Sequence, residues 1–236
     1  MKSNLEILEQ RLLKTKDPAR AKILSHFFKT GPGQYGEGDI FLGIVVGKSR
    51  SIAKEFSILS LNDINKLLNS SWHEFRLVAL LILIEKYNKA DNDITKGQII
   101  KFYLKNLKNV NNWDLVDLSC SYLLGSYLYN KDRSILYKLA KDKNMWSRRV
   151  AIVSTYYFIK NNDLKDTFKL AEILLNNKED LMHKAVGWML REAGKRDKIK
   201  LEKFINKYIK TIPRTTLRYA IEKFPEAQRQ KILKIK

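Results

Sequence analysis

Along nearly the whole chain, apolar residues recur three or four positions apart, and sustained alternation with period two is scarce. This pattern predicts an all-α protein. Helix starts are legible at several points. Asp17-Pro18 pairs an N-cap with a proline at the first helical position, and Ser60-x-x-Asp63 and Ser71-x-x-Glu74 read as capping boxes. Pro213 and Pro225 open the last two short helical runs. Residues 78–84 form the most apolar stretch, about a third of the ~20 residues that crossing a bilayer requires. Arg76 and Glu85 close it, so it is read as core, and no membrane partner is expected.

A weak repeat underlies the pattern. Trp72, Trp113 and Trp146 sit at predicted helix beginnings in similar surroundings, with separations of 41 and 33 residues. A fourth helix of this kind begins near Asp180, with Trp188 two turns further in. Shorter amphipathic helices fall between, over about 94–107, 131–141, 163–175 and 198–210. Alternating long and short helices of this length stack as hairpins into an α-α superhelix, a solenoid whose concave face presents the same turn of successive helices.

Charge then narrows the partners. Lys and Arg number 45 against 25 Asp and Glu, a formal net charge of +20, which favours a polyanion and makes nucleic acid the first partner to consider. A solvated basic surface explains the charge equally well at this stage. The single cysteine, Cys120, cannot form an internal disulfide, and three histidines, His26, His73 and His183, do not make a zinc site. Each histidine is expected at the surface or at a helix cap. The charged start of the chain lacks the apolar run of a secretory signal, so a cytoplasmic location is expected. Gly31-Pro32-Gly33-Gln34-Tyr35-Gly36 spells a dinucleotide-binding turn, but a helical pattern leads into it where that turn needs a strand. An interhelical loop, flexible or able to approach a phosphate, is the better expectation.

Candidate chemistry lies in tryptophans paired with charged residues one helical turn on. Asp117 follows Trp113 at i+4, Arg149 follows Trp146 at i+3, and Arg191 and Glu192 follow Trp188 at i+3 and i+4. Taken singly, each pair reads first as a core anchor with a rim charge. Together they offer an aromatic surface for a sugar or base, guanidinium groups for phosphate, and a carboxylate able to stabilise positive charge on a sugar. Nucleophilic triads, zinc-protease signatures and phosphate loops find no support in the local sequence.

Four segments carry a resemblance to a known family: Phe41-Leu42-Gly43-Ile44, Asn112 through Asp117, Asn144 through Ile152, and Lys184 through Glu192. In order and separation they resemble the DNA alkylation repair family of HEAT-like-repeat glycosylases of the AlkD type, over nearly the whole chain. The resemblance implies a C-shaped stack of helical hairpins, residues 1–236 forming one domain, with a basic concave groove around duplex DNA. It further implies hydrolysis of the N-glycosidic bond of N3- or N7-alkylated purines without base flipping. By motif, Asp117 is the catalytic carboxylate, Trp113 and Trp188 bind the lesion's sugar, and Arg149 holds the DNA backbone, with Arg148 immediately before it and Arg191 as further DNA contacts. No cofactor or metal is implied, and a monomer acting on duplex DNA that contains alkylated purines is expected. Two alternatives stay open: a non-catalytic HEAT-type module for nucleic acid or an acidic protein, and a protein-assembly solenoid whose charge is incidental.

Overall fold

A computed structural model describes residues 2–235. Among them there are helices and no strands, and the nearest approach to a sheet is one isolated parallel bridge between Ile40 and Trp72. The chain divides into two compact units, residues 1–119 and 120–236.

The first unit comprises α1 (Asn4–Lys14), α2 (Pro18–Phe27), α3 (Val46–Glu55), α4 (Leu61–Leu68), α5 (His73–Lys89), α6 (Asp93–Lys105) and α7 (Trp113–Ser119). Helix α5 is its axis, packed against α3, α4, α6 and α7. That position explains the unbroken apolar run: residues 77–84 are all buried, because neighbours cover every face of the helix. Asp17 caps α2 by accepting the Arg20 N–H at 3.0 Å, and Ser60 caps α4 through the Asp63 N–H at 3.1 Å, both as the sequence predicts.

The expected capping box at Ser71 does not form. Trp72 is the N-cap of α5 without a side-chain cap, and Glu74 turns away from its own helix end. Its carboxylate instead accepts the backbone N–H groups of Leu42, Gly43 and Ile44 at 2.8, 2.8 and 3.1 Å. A buried carboxylate is stabilised better by three donors than by one. The loop so anchored needs glycine at its bend: Gly43 has φ +86°, and a Cβ there would lie 2.2 Å from the Asp17 carbonyl oxygen.

The second unit begins with a π-turn (Ser121–Gly125) that runs into α8 (Ser126–Leu128). It continues through α9 (Ser134–Leu139), α10 (Met145–Ser154), α11 (Tyr156–Lys160), α12 (Lys165–Leu174), α13 (Asp180–Arg196), α14 (Lys198–Tyr208), α15 (Arg214–Ala220) and α16 (Glu226–Ile235). Here α13 is the axis, flanked by α10, α11, α12, α14 and α15. Helix α15 approaches so closely that a Cβ at Gly187 would sit 2.5 Å from the Tyr219 Cβ. Arg133 joins α9 to the start of α12 by donating to Asp163 and Asp166 at 2.6 Å each. Four helices predicted at 94–107, 131–141, 163–175 and 198–210 correspond to α6, α9, α12 and α14, with ends trimmed by a few residues. No helix of the described residues is long and apolar enough to cross a membrane.

Candidate active site

Trp113 is the first residue of α7, and Asn112 fixes that start by accepting the Trp113 N–H on its side-chain oxygen at 2.8 Å. One turn on, Asp117 lies on the same face, and both are half-buried. They line a pocket of about 460 Å³ inside the first unit. Helix α2 and the residue after it contribute Arg20, Leu24, Phe27 and Phe28, and the anchored loop contributes Phe41 and Ile44.

Its wall is an aromatic stack. Phe28 stacks on Trp113 with ring centroids 5.1 Å apart and planes at 15°, and on Phe41 at 4.9 Å and 22°. Phe27 meets Trp113 edge-on at 5.9 Å. The far end of the stack is His73, whose ring lies 4.5 Å from that of Phe41 at 23°. Such a stack holds the Trp113 indole rigidly, since turning it would break contacts along the row.

The backing of the pocket is ionic. His73 is expected at a surface or cap, but it is only 1% exposed. Its Nδ1–H donates to Asp39 at 3.0 Å and its Nε2–H to Asp114 at 2.8 Å. Arg76 also donates to Asp39, and the Asn112 amide donates to the same carboxylate at 3.0 Å. Burial alone would push the imidazolium pKa down, but the hydrogen bonds to Asp114 and Asp39 outweigh it and raise the value to about 9. Burial likewise works to raise the Asp39 pKa, and His73, Arg76 and Asn112 together hold it below the usual value. The two carboxylates therefore enclose a charged histidine at neutral pH, which fixes the start of α7 against the start of α5.

This arrangement has a definite pH signature. A histidine with raised pKa contributes stability that is complete below its unfolded value of about 6.5. That contribution, roughly 3 kcal/mol, is lost as pH climbs from there through about 9. Denaturant unfolding at several pH values in this window is expected to show stability falling toward alkaline pH, and His73→Gln is expected to flatten that slope. An unchanged slope in the variant would place the titration elsewhere.

The other predicted residues belong to the second unit. Trp188, mid-way along α13 and half-buried, lies against Tyr156 at 5.8 Å. Arg149 is buried and donates to the Leu181 carbonyl at 2.7 Å. Arg148 donates to the carbonyls of Asp142 and Lys143 at 2.8 Å each and pairs with Glu179. Arg191 pairs with Glu192 at 3.0 Å and with Glu222. Sequence spacing places these arginines on helix faces but says nothing of the partners that brace them. It also passes over His73 and the phenylalanines of the stack, whose contacts join distant segments.

The glycine-rich loop is folded on itself: Gly31 N–H donates to the Gln34 side chain at 3.1 Å and Gly33 N–H to Glu37 at 2.8 Å. Cys120 is buried. No group of three or more His, Cys, Asp or Glu among the described residues is placed to hold a metal ion.

Two units of packed helices, one carrying a pocket of aromatic rings beside a carboxylate, define an all-α helical-repeat protein. The model of the family described as DNA alkylation repair enzyme matches residues 8–224. The chain belongs to that family, so its role lies in the repair of alkylated DNA. It is also similar to a solved structure described as a predicted DNA alkylation repair enzyme from Enterococcus faecalis. The two share 16% identity and a TM-score of 0.68, over 90% of this chain and 98% of that one, a likeness of fold. No curated protein matches the chain.

Proposed function

We propose that the protein is a DNA glycosylase of base excision repair that hydrolyses the N-glycosidic bond of cationic N3- or N7-alkylated purines in duplex DNA, leaving the base stacked. The observation that carries this reading is the presence of Trp113 and Asp117 in one pocket, with the indole held by the Phe28 stack. Alkylation gives the purine a positive charge. When the C1′–N bond breaks, its electron pair neutralises the base, so no general acid is needed and one carboxylate suffices where ordinary glycoside hydrolysis uses two.

Asp117 stabilises the oxocarbenium-like sugar and orients the water that adds to C1′; the proton released by that water passes to the carboxylate or to solvent. Trp113 packs on the sugar beside Asp117 and limits its motion; Trp188, in the second unit, offers an aromatic face to a sugar. Arg149, with Arg148 and Arg191, holds the DNA backbone, and the internal partners of these arginines fix the guanidinium planes in advance. On this reading the protein acts as a monomer in the cytoplasm, and its excess of lysine and arginine meets the phosphates of the duplex.

Incubating the protein with methylated duplex DNA and measuring free base tests this directly. Release of N7-methylguanine, with little release of uracil from an equivalent duplex, is the expected result. Tight binding without release would instead favour a non-catalytic nucleic-acid module.

A further inference from the structure

The second unit holds a separate recess of about 190 Å³, lined by Tyr156, Ile159, Lys160, Glu192, Lys195 and Arg196. Its charge is lopsided, with three cations around one carboxylate. That carboxylate is already engaged: Glu192 pairs with Arg191 at 3.0 Å and with Lys195 at 2.8 Å. Among the described residues, neither Lys160 nor Arg196 has a carboxylate within ion-pair distance. Lys160 is held by rings instead, its ammonium lying 5.3 Å from the centroid of Tyr122, 5.1 Å from Tyr156 and 5.8 Å from Tyr157. Ring faces attract a cation without neutralising it. The recess thus pairs two uncompensated cations with a shelf of aromatic rings that continues through Tyr156 to Trp188.

We infer that this recess binds one backbone phosphodiester of the DNA strand that passes Trp188, with Lys160 and Arg196 sharing the phosphate and Lys195 at its edge. The inference rests on the duplex-DNA reading above and adds a phosphate site to it. Several features point to this occupant. An ammonium and a guanidinium converging on a small concavity suit a compact anion, and the braced arginines elsewhere in the unit have internal partners that Lys160 and Arg196 lack. Tyr156, shared by the recess and the Trp188 contact, sets the phosphate one side chain away from the sugar-binding tryptophan. The recess therefore fixes the register of the strand on α13.

The test is the salt dependence of binding to an undamaged, fluorescently labelled duplex, measured by anisotropy between about 50 and about 200 mM salt. Each phosphate neutralised contributes about 0.9 to the slope of log affinity against log salt. The double variant Lys160→Ala, Arg196→Ala is expected to lose about 0.9 from the slope, so that its affinity falls about 3.5-fold less over that range than the wild type's. Each single variant is expected to lose about as much as the double, because both side chains serve one phosphate, and Lys160→Arg is expected to keep the wild-type slope. Lys207→Ala, which removes a positive charge from α14 elsewhere in the same unit, is expected to change nothing.

Three results would overturn the inference: an unchanged slope in the double variant, a loss twice as large in the double as in the singles, or an equal loss in Lys207→Ala, which would show a diffuse field. Competition by poly-glutamate as effective as that by duplex would assign the recess to an acidic protein and also overturn it. Melting temperatures verify that the exposed-site variants fold. Base release by the wild type, measured in parallel, separates the two ideas. Release together with an unchanged slope in the double variant rejects the recess alone, whereas neither binding nor release by the wild type rejects the reading beneath it as well.

Discussion

Asp117→Asn is expected to retain duplex binding while slowing release of N7-methylguanine by on the order of a hundredfold or more. Asparagine keeps the shape of the side chain and its place beside Trp113 in the pocket, so packing and DNA contacts change little. What it loses is the negative charge. In the proposed reaction the leaving base needs no proton, so the developing positive charge on the sugar is the main electrostatic demand, and one carboxylate meets it. Single-turnover assays with saturating protein isolate the chemical step, and anisotropy with the same duplex reports binding. Full excision by the variant would reject Asp117 as the catalytic group, and loss of binding in step with activity would make it a structural residue.

Glu74→Ala is expected to destabilise the first unit by about 3–9 kcal/mol, because three backbone N–H groups lose their acceptor at once and each buried orphan costs roughly 1–3 kcal/mol. For a chain of this size that corresponds to a fall in melting temperature of about 6 °C or more. Glu74→Gln is expected to fall between, since the amide oxygen can accept part of the set while its NH₂ group meets donors. The anchored loop carries Phe41, so the defect should reach the aromatic stack and reduce base release in the fraction that remains folded. A melting temperature within a degree or two of the wild type's would show that solvent replaces the carboxylate at these amides.

The helices, their starts and the tryptophans at their beginnings were legible because they follow from local spacing. Asp17-Pro18 and Ser60-x-x-Asp63 cap as read, and Trp113 and Asp117 share a face because i and i+4 must. Ser71-x-x-Glu74 misleads for a physical reason: the Glu74 carboxylate is taken by three backbone N–H donors some thirty residues away in place of the single local one. His73 escapes a local reading in the same way, since its partners lie 34 and 41 residues off in sequence. The glycine-rich stretch follows helix α2 and not a strand, and its Gly31 and Gly33 N–H groups meet side-chain acceptors within the loop.

Helix α2 buries none of its residues, yet it supplies Arg20, Leu24 and Phe27 to the pocket, and Phe27 is 59% exposed. The wall that a substrate would touch is therefore the part whose alteration disturbs the core least. Selection can recut that surface for a new lesion while His73, Glu74 and the start of α7 stay as they are, which makes α2 the natural place for a directed-evolution library aimed at changing what the protein repairs.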